Sequence, residues 1–241
     1  MRNYDTTAFE QGLEKLGISL DQKQIEQFLQ YYEILVEWNK VMNLTGITEF
    51  EEVIVKHFLD SLAIVKVCDM NKVSTIIDVG TGAGFPGVPL KIAFPHLEVV
   101  LLDSLRKRIT FLEDVVQQLG LVDITMMHGR AEEFARKSEY REQFDLSVSR
   151  AVANLSTLGE YCLPFVKVGG EFISYKSGKI AEEVEQAQKA IKVLGGENIS
   201  SEVFNLLDTD MERSFVRIKK QDKTPSRYPR KAGQPSKEPI N

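Results

Sequence analysis

The run Asp78-Val-Gly80-Thr-Gly82-Ala-Gly84-Phe-Pro-Gly87 holds the densest set of chemically informative residues in the chain. A glycine backbone can turn sharply and approach a ligand closely, because no Cβ stands in the way. The run follows a β-branched stretch and precedes an apolar helical one, the setting in which such a loop holds a nucleotide-like ligand. Gly82-Ala-Gly84-Phe-Pro-Gly87 also satisfies G-x-G-x-x-G, so a nicotinamide-dinucleotide oxidoreductase competes as a reading. Two features oppose it. Pro86 and Pro89 stand where helix N-terminal amides would face a pyrophosphate, and proline has no N–H to offer. Asp78 ends the strand before the loop, where a carboxylate repels a pyrophosphate but suits an amino group and a sulfonium. S-adenosylmethionine has that character. Asp103 ends the next strand, at the distance downstream where an acid reaches ribose hydroxyls. Gly129-Arg-Ala-Glu132 follows the third strand, where a methyltransferase cradles adenine. Asp78, Gly80, Gly82, Gly84, Asp103 and the 129–132 run are therefore the expected cofactor contacts.

Other polar residues divide between structural and functional readings. Arg150 ends the fourth strand and faces the cleft, either as a structural ion pair or as a substrate or cofactor contact. His57 and Asp60 share one helix face and could order the N-terminal helices against the cofactor domain. Asn39, Asn43 and Thr45 cap helices or lie near substrate; His96 and His128 read as structural. Arg106, Lys107 and Arg108 open a solvated helix or meet phosphates. Tyr228, among arginines, could stack on a base or lock a docking strand. Cys68 and Cys162 lie far apart outside any Cys-x-x-Cys pattern, so neither a disulfide nor a metal site is expected.

The elements that must position these residues follow from periodicity. Residues 1–72 read as a helical N-terminal cap. Ile25, Phe28, Leu29, Tyr32, Leu35 and Val36 form an apolar stripe, with Ser19-x-x-Gln22 and Thr48-x-x-Glu51 as helix-start signals. From 73 to 221, short β-branched runs alternate with helical stretches, as in a parallel sheet covered by helices. Strands are expected at 75–79, 99–103, 124–127, 145–149 and 171–175. Helices are expected at 105–119, stopped by Gly120, and near 180–194. Two further strands, 202–206 and 214–219, have too short a connection for a helical crossover and should pair antiparallel. Residues 222–241, with Pro225, Pro229, Pro235 and Pro239, read as an extended basic arm with no helix. The 241-residue chain carries a net charge of −5. Residues 217–241 hold eight Lys/Arg against two acids, so that tail is +6 and the remainder −11. A basic arm on an acidic body is a local polyanion-binding footprint. No run approaches the roughly 20 apolar residues that span a bilayer, and the start does not resemble a signal peptide. A cytoplasmic protein without membrane contact is expected.

Beyond the loop, several runs together resemble the ribosomal RNA small-subunit methyltransferase G family, also called glucose-inhibited division protein B. They are Trp38-Asn-Lys-Val-Met-Asn-Leu-Thr45, His57-Phe-Leu-Asp-Ser-Leu62, the 78–87 loop, Leu102-Asp-Ser-Leu-Arg-Lys-Arg108, Gly129-Arg-Ala-Glu132, Ser149-Arg-Ala-Val-Ala153 and Tyr228-Pro-Arg-Lys231. The resemblance implies methylation of N7 of a guanosine in the 530 loop of 16S rRNA, position 527 in the usual rRNA count. It also implies cofactor contacts from Gly80, Phe85, Ala131, Glu132 and Arg150.

The residues suit that chemistry. The N7 lone pair is unprotonated at neutral pH, so attack needs in-line placement, a proximity effect of roughly 7–11 kcal/mol, and no general base. No Asn/Asp-Pro-Pro-Tyr/Phe run follows the fourth strand, which argues against exocyclic amine methylation. Cys162, followed by leucine, is poorly placed as a nucleophile for carbon methylation. No catalytic residue is then expected, only positioning, with Arg150, Asn43, His57 and Asp60 as candidate substrate contacts. The expected fold is α/β: a class I S-adenosylmethionine-dependent methyltransferase, with a Rossmann-like seven-stranded sheet, its last strand antiparallel, and a small helical cap. The expected partner is 16S rRNA within a small-subunit particle or assembly intermediate, met by a monomer. The rivals are the oxidoreductase and a non-catalytic RNA-binding protein on a methyltransferase fold.

Overall fold

The computed structural model describes residues 4–150, 153–178, 180–207 and 209–240. Seven strands form one sheet: β1 (Thr75–Val79), β2 (Glu98–Asp103), β3 (Ile124–His128), β4 (Phe144–Arg150), β5 (Val166–Lys176), β6 (Gly196–Asn205) and β7 (Glu212–Lys220). Their order is β3-β2-β1-β4-β5-β7-β6. The first five run parallel, and β7 is inserted antiparallel between β5 and β6. The glycine loop therefore leaves the C-terminal end of the central strand, flanked by the ends of β2 and β4. In open α/β sheets that crevice is where ligands bind.

All seven expected strands are present; β1 has the expected bounds, β2, β3, β4 and β7 run a little beyond theirs, and β5 and β6 start well before them. β5 begins at Val166, running through Gly169-Gly170, where its pairing with β4 shifts register. β6 begins at Gly196, before the expected start at 202, and an edge strand with polar residues shows little alternation by which that start could be read.

Helices cover both faces. On one side α1 (Thr7–Leu16), α2 (Gln22–Met42), α5 (Gly87–Ala93) and α6 (Arg106–Leu119) share a buried cluster with Ile76, Leu101, Tyr175 and Phe215. The other face carries α8 (Leu155–Cys162) and α9 (Ala181–Val193) over Ile77, Phe172 and Val216. The N-terminal helices, expected as a small cap, are thus continuous with the core: Phe9, Phe28, Tyr31 and Phe58 all join the first cluster. Gly120 ends α6 in the left-handed conformation, as expected.

Both expected helix starts in this region are corrected. The capping box of α2 is Asp21 with Gln24, two residues after Ser19-x-x-Gln22. The pattern occurs twice in succession, and the carboxylate is an acceptor at least as good as a hydroxyl. Gln22 instead bonds Glu26. The short α3 (Phe50–Val53) starts after Glu49 without a side-chain cap, and the Thr48 carbonyl accepts from the Tyr32 hydroxyl. The α2 stripe is rotated from the expected one. Phe28, Tyr31, Ile34 and Leu35 are its buried residues, whereas Ile25, Leu29, Tyr32 and Val36 are half-buried.

From α3 the chain continues through a π-helical turn, Ile54–Leu59, into α4 (Asp60–Leu62). At the other terminus the expected extended arm is overturned. Residues 222–240 lie against the body and include a helix, α10 (Gln234–Lys237). Pro235 sits in its first turn, where a missing N–H costs nothing. Among the described residues no helix is long and apolar enough to cross a membrane.

Candidate cofactor and substrate site

The four glycines of the loop serve two different purposes. Gly80 and Gly82 adopt positive φ values of 76° and 63°, and a Cβ at Gly82 would meet nothing within 4 Å. That side is open. Gly84 and Gly87 instead face protein: a Cβ at Gly84 would lie 2.7 Å from the Tyr31 hydroxyl. One at Gly87 would lie 2.3 Å from Leu101 Cδ2 and 2.9 Å from Asp78 Oδ2. Tyr31 reaches under the loop to donate to the Ala83 carbonyl.

Asp78 fastens the loop from beneath. It is fully buried, and its Oδ2 accepts from Thr81 Oγ1 at 2.7 Å and from the Gly87 amide at 2.9 Å. Its Oδ1 is buried with no hydrogen-bond partner among the described residues. Burial raises its carboxyl to about 6 despite those two bonds. Asp103 plays the matching part on the next strand: Gly82 N donates to Oδ2 at 3.0 Å, Leu105 N to Oδ1 at 2.9 Å, and Arg108 Nη1 to Oδ2 at 3.1 Å. The amides of Gly80 and Thr81 donate to the Leu102 carbonyl, which ties the loop to β2.

Above the loop lies a cavity of about 580 Å³, walled by Gly80–Ala83, Phe85, Asp103–Ser104, Gly129–Glu132 and Arg150. Its far side includes Tyr161 and Ser236. Glu132, on the short α7 (Ala131–Phe134), accepts from the Gly233 amide at 2.7 Å, so its carboxylate is engaged by the C-terminal segment.

At the β4 end the cavity meets a second one, of about 390 Å³, lined by Lys56, His57, Asp60, Arg150, Tyr175, Lys176, Arg213 and Phe215. His57 and Arg150 line both. The π-helical turn brings the His57 ring onto Phe85, 4.6 Å between centroids and nearly parallel, and Arg150 lies 5.0 Å from the same ring. Asp60 holds two guanidiniums, Arg150 at 3.0 Å and Arg213 at 2.8 Å. Burial, helped by the Arg150 charge, lowers His57 to about 4, so the imidazole is neutral near pH 7. Its Nε2 lies 2.8 Å from Thr45 Oγ1. Asn39 Oδ1 fixes that connection by accepting from the amides of Leu44 and Thr45.

The model of the rRNA small subunit methyltransferase G family matches residues 24–211. The chain belongs to that family. It is 56% identical over 236 residues to the "Ribosomal RNA small subunit methyltransferase G" of Lachnoclostridium phytofermentans, covering 98% of each chain. It is 53% identical to the protein of that name from Alkaliphilus metalliredigens, covering 95% of this chain and 96% of that one. Among solved structures, an S-adenosylmethionine-dependent O-methyltransferase of Thermotoga maritima superposes with a TM-score of 0.52. It is 16% identical, with 78% of this chain and 72% of that one covered, a likeness in fold.

Within this family member, the residues singled out in sequence fall into three groups. Gly80, Gly82, Phe85, Asp103, Ala131, Glu132, Arg150 and His57 line the large cavity. Asp60 lies one step away, on the smaller cavity. Asp78, Gly84 and Asn43 line neither: the first two pack beneath the loop, and Asn43 ends α2 in the left-handed conformation. Of the run following β4, Ala151 and Val152 lie outside the described residues. Arg213, Tyr161 and Ser236 were missed by sequence reasoning. Arg213 lies where only a connection was expected, and nothing local marks its pairing with Asp60. Among the described residues no group of three His, Cys, Asp or Glu could hold a metal ion.

The +6 charge of the tail is partly spent inside the protein. Arg217 and Lys219 pair with Glu171, Lys220 is buried against Glu142, and Arg230 pairs with Glu160. Lys223, Arg227, Lys231 and Lys237 remain exposed.

Proposed function

We propose that this protein transfers a methyl group from S-adenosylmethionine to N7 of a guanosine in the 530 loop of 16S rRNA, in the cytoplasm. The observation that carries this reading is the sharing of His57 and Arg150 between a cavity on the glycine loop and a second one, large enough for a nucleobase. A ligand in each would meet at His57 and Arg150, which both lie against the Phe85 ring.

The residues present fit the cofactor. Gly82 leaves room for close approach, Asp103 keeps acceptor capacity at the cavity wall, and the unpartnered Asp78 Oδ1 makes the loop electronegative from below. They do not fit a dinucleotide: the Gly87 amide, which a pyrophosphate would need, already donates to Asp78. When bound, S-adenosylmethionine supplies an electrophilic methyl group on sulfur. The protein's part is alignment. Gly80–Gly82, Asp103 and 129–132 hold one partner, and Lys56, Tyr175, Arg213 and Phe215 shape the place of the other.

A ring nitrogen that attacks with its lone pair leaves no proton to remove, and neutral His57 is consistent with that. It adds no positive charge beside the cationic 7-methylguanine that forms. Arg150 and Arg213 share the one Asp60 carboxylate, which offsets part of their charge. The helical layer (1–72), the sheet domain (73–221) and the C-terminal segment (222–241) thus each contribute to one site. Small-subunit particles or their assembly intermediates are the proposed substrate, since the acidic body disfavours naked duplex RNA.

The test incubates purified protein with labelled S-adenosylmethionine and either 16S rRNA or small-subunit particles. Borohydride–aniline cleavage at a single labelled guanosine supports the reading. Label on an exocyclic amine or ring carbon, or RNA binding without transfer, refutes it.

A further inference from the structure

The C-terminal segment is anchored more firmly than a phosphate-tracking arm would need to be. Arg230 places its guanidinium on the buried Glu160 carboxylate at 2.7–3.0 Å, and its backbone amide adds a bond at 2.6 Å. Arg141 donates to the carbonyls of Thr224 and Tyr228, and the Pro235 carbonyl accepts from Thr157 Oγ1. Two contacts beyond them reach the large cavity. Ser236 lines it beside Tyr161 and donates its hydroxyl to the Gly233 carbonyl at 3.1 Å. Gly233, at φ 79°, aims its amide at Glu132 Oε1. Glu132 is itself a cavity residue and only 4% exposed, so this charge-assisted bond compensates a desolvated carboxylate.

We propose that residues 228–237 form a wall of the cofactor cavity, so that cofactor binding and docking of this segment strengthen one another. The inference rests on the cofactor reading above and extends it to a part of the chain otherwise read as an RNA-binding arm. Removing the segment would take this donor from the Glu132 carboxylate and open the side of the cavity at Tyr161. Coupling of two binding events is reciprocal. A ligand that needs the wall must therefore hold it in place.

The test uses the full chain, a chain ending at Lys231, and Ser236→Ala. Calorimetric titration with S-adenosylhomocysteine should show about tenfold weakening in the shortened chain, the size of an ordinary coupling free energy between two binding events. Ser236→Ala should weaken binding about twofold to tenfold, as for a neutral bond. The second readout is tryptic cleavage after the exposed Lys231 in the full chain, which S-adenosylhomocysteine should slow. That protection does not depend on the shortened chain folding. Equal affinity in the full and shortened chains, or cleavage at the same rate with and without ligand, overturns the proposal alone. A full chain that does not bind S-adenosylhomocysteine overturns the cofactor reading and this proposal together.

Discussion

Asp78→Asn should make the ligand-free protein more stable and the cofactor site worse. The carboxyl is fully buried, and its folded-state value of about 6 lies above the ordinary 3.8, with burial as the leading cause. A group whose pKa is raised by folding adds stability only while protonated, so its contribution is present below about pH 4 and lost as pH rises through about 6. Above that, the ionised carboxylate costs the fold about 3 kcal/mol, from about 1.4 kcal/mol per pKa unit. Asparagine keeps one oxygen to accept from Thr81 and Gly87 and places a neutral NH2 where Oδ1 has no partner. At pH 8 the substitution should raise Tm by about 6–12 °C, at 2–4 °C per kcal/mol for a chain of this size. At pH 4 the gain should vanish. The same change removes the negative charge beneath the loop, so S-adenosylhomocysteine should bind more weakly, through lost electrostatic attraction rather than a lost contact. Stability and function would move in opposite directions at one residue. Thermal unfolding from pH 4 to 8 with parallel calorimetry reads both. A variant less stable than wild type at pH 8, or one that binds the ligand unchanged, refutes the reasoning.

Three further outcomes follow from the geometry. Gly87→Ala should destabilise by about 1–3 kcal/mol in urea titrations through overpacking, because its Cβ would fall within 2.9 Å of both Leu101 and Asp78. His57 is held neutral, with its value near 4 against an ordinary 6.5. Its contribution is therefore complete above about pH 6.5 and lost as pH falls towards 4, about 3 kcal/mol in all. His57→Phe should flatten that part of the stability profile, and methylation by wild type should show no inflection near 6.5. Replacing Lys223, Arg227, Lys231 and Lys237 together with glutamine should flatten the dependence of log affinity for rRNA on log salt, by roughly 0.7 for each phosphate no longer neutralised. An unchanged slope would mean that these four exposed cations do not meet RNA.

The sheet and its loop were legible because their signals are local. A β-branched run before Asp78, glycines at alternate positions and acids at the strand ends all fall within a few residues of one another. Two things were hidden for physical reasons. The first is which way a group points: Asp78 and Gly84 belong to the motif, yet the nearest donors to Asp78 are Thr81 and Gly87, so the carboxylate turns under the loop. The second is any arrangement assembled across the chain. Asp60 meets Arg150 and Arg213, and Glu132 meets Gly233, over separations that no periodicity records. The basic tail misled for the same reason. Its charge is visible in sequence, but the acids that neutralise half of it, Glu142, Glu160 and Glu171, come from elsewhere. Its prolines, read as excluding helix, exclude only helix interiors.

Methyl transfer to one guanine N7 would show as a difference in the 7-methylguanosine map of 16S rRNA between cells with and without the gene for this chain. A single N7-methylated guanosine in the 530 loop, present in the first and absent from the second, is the predicted result. An identical 7-methylguanosine map in both, or the loss of a different modification, would contradict it.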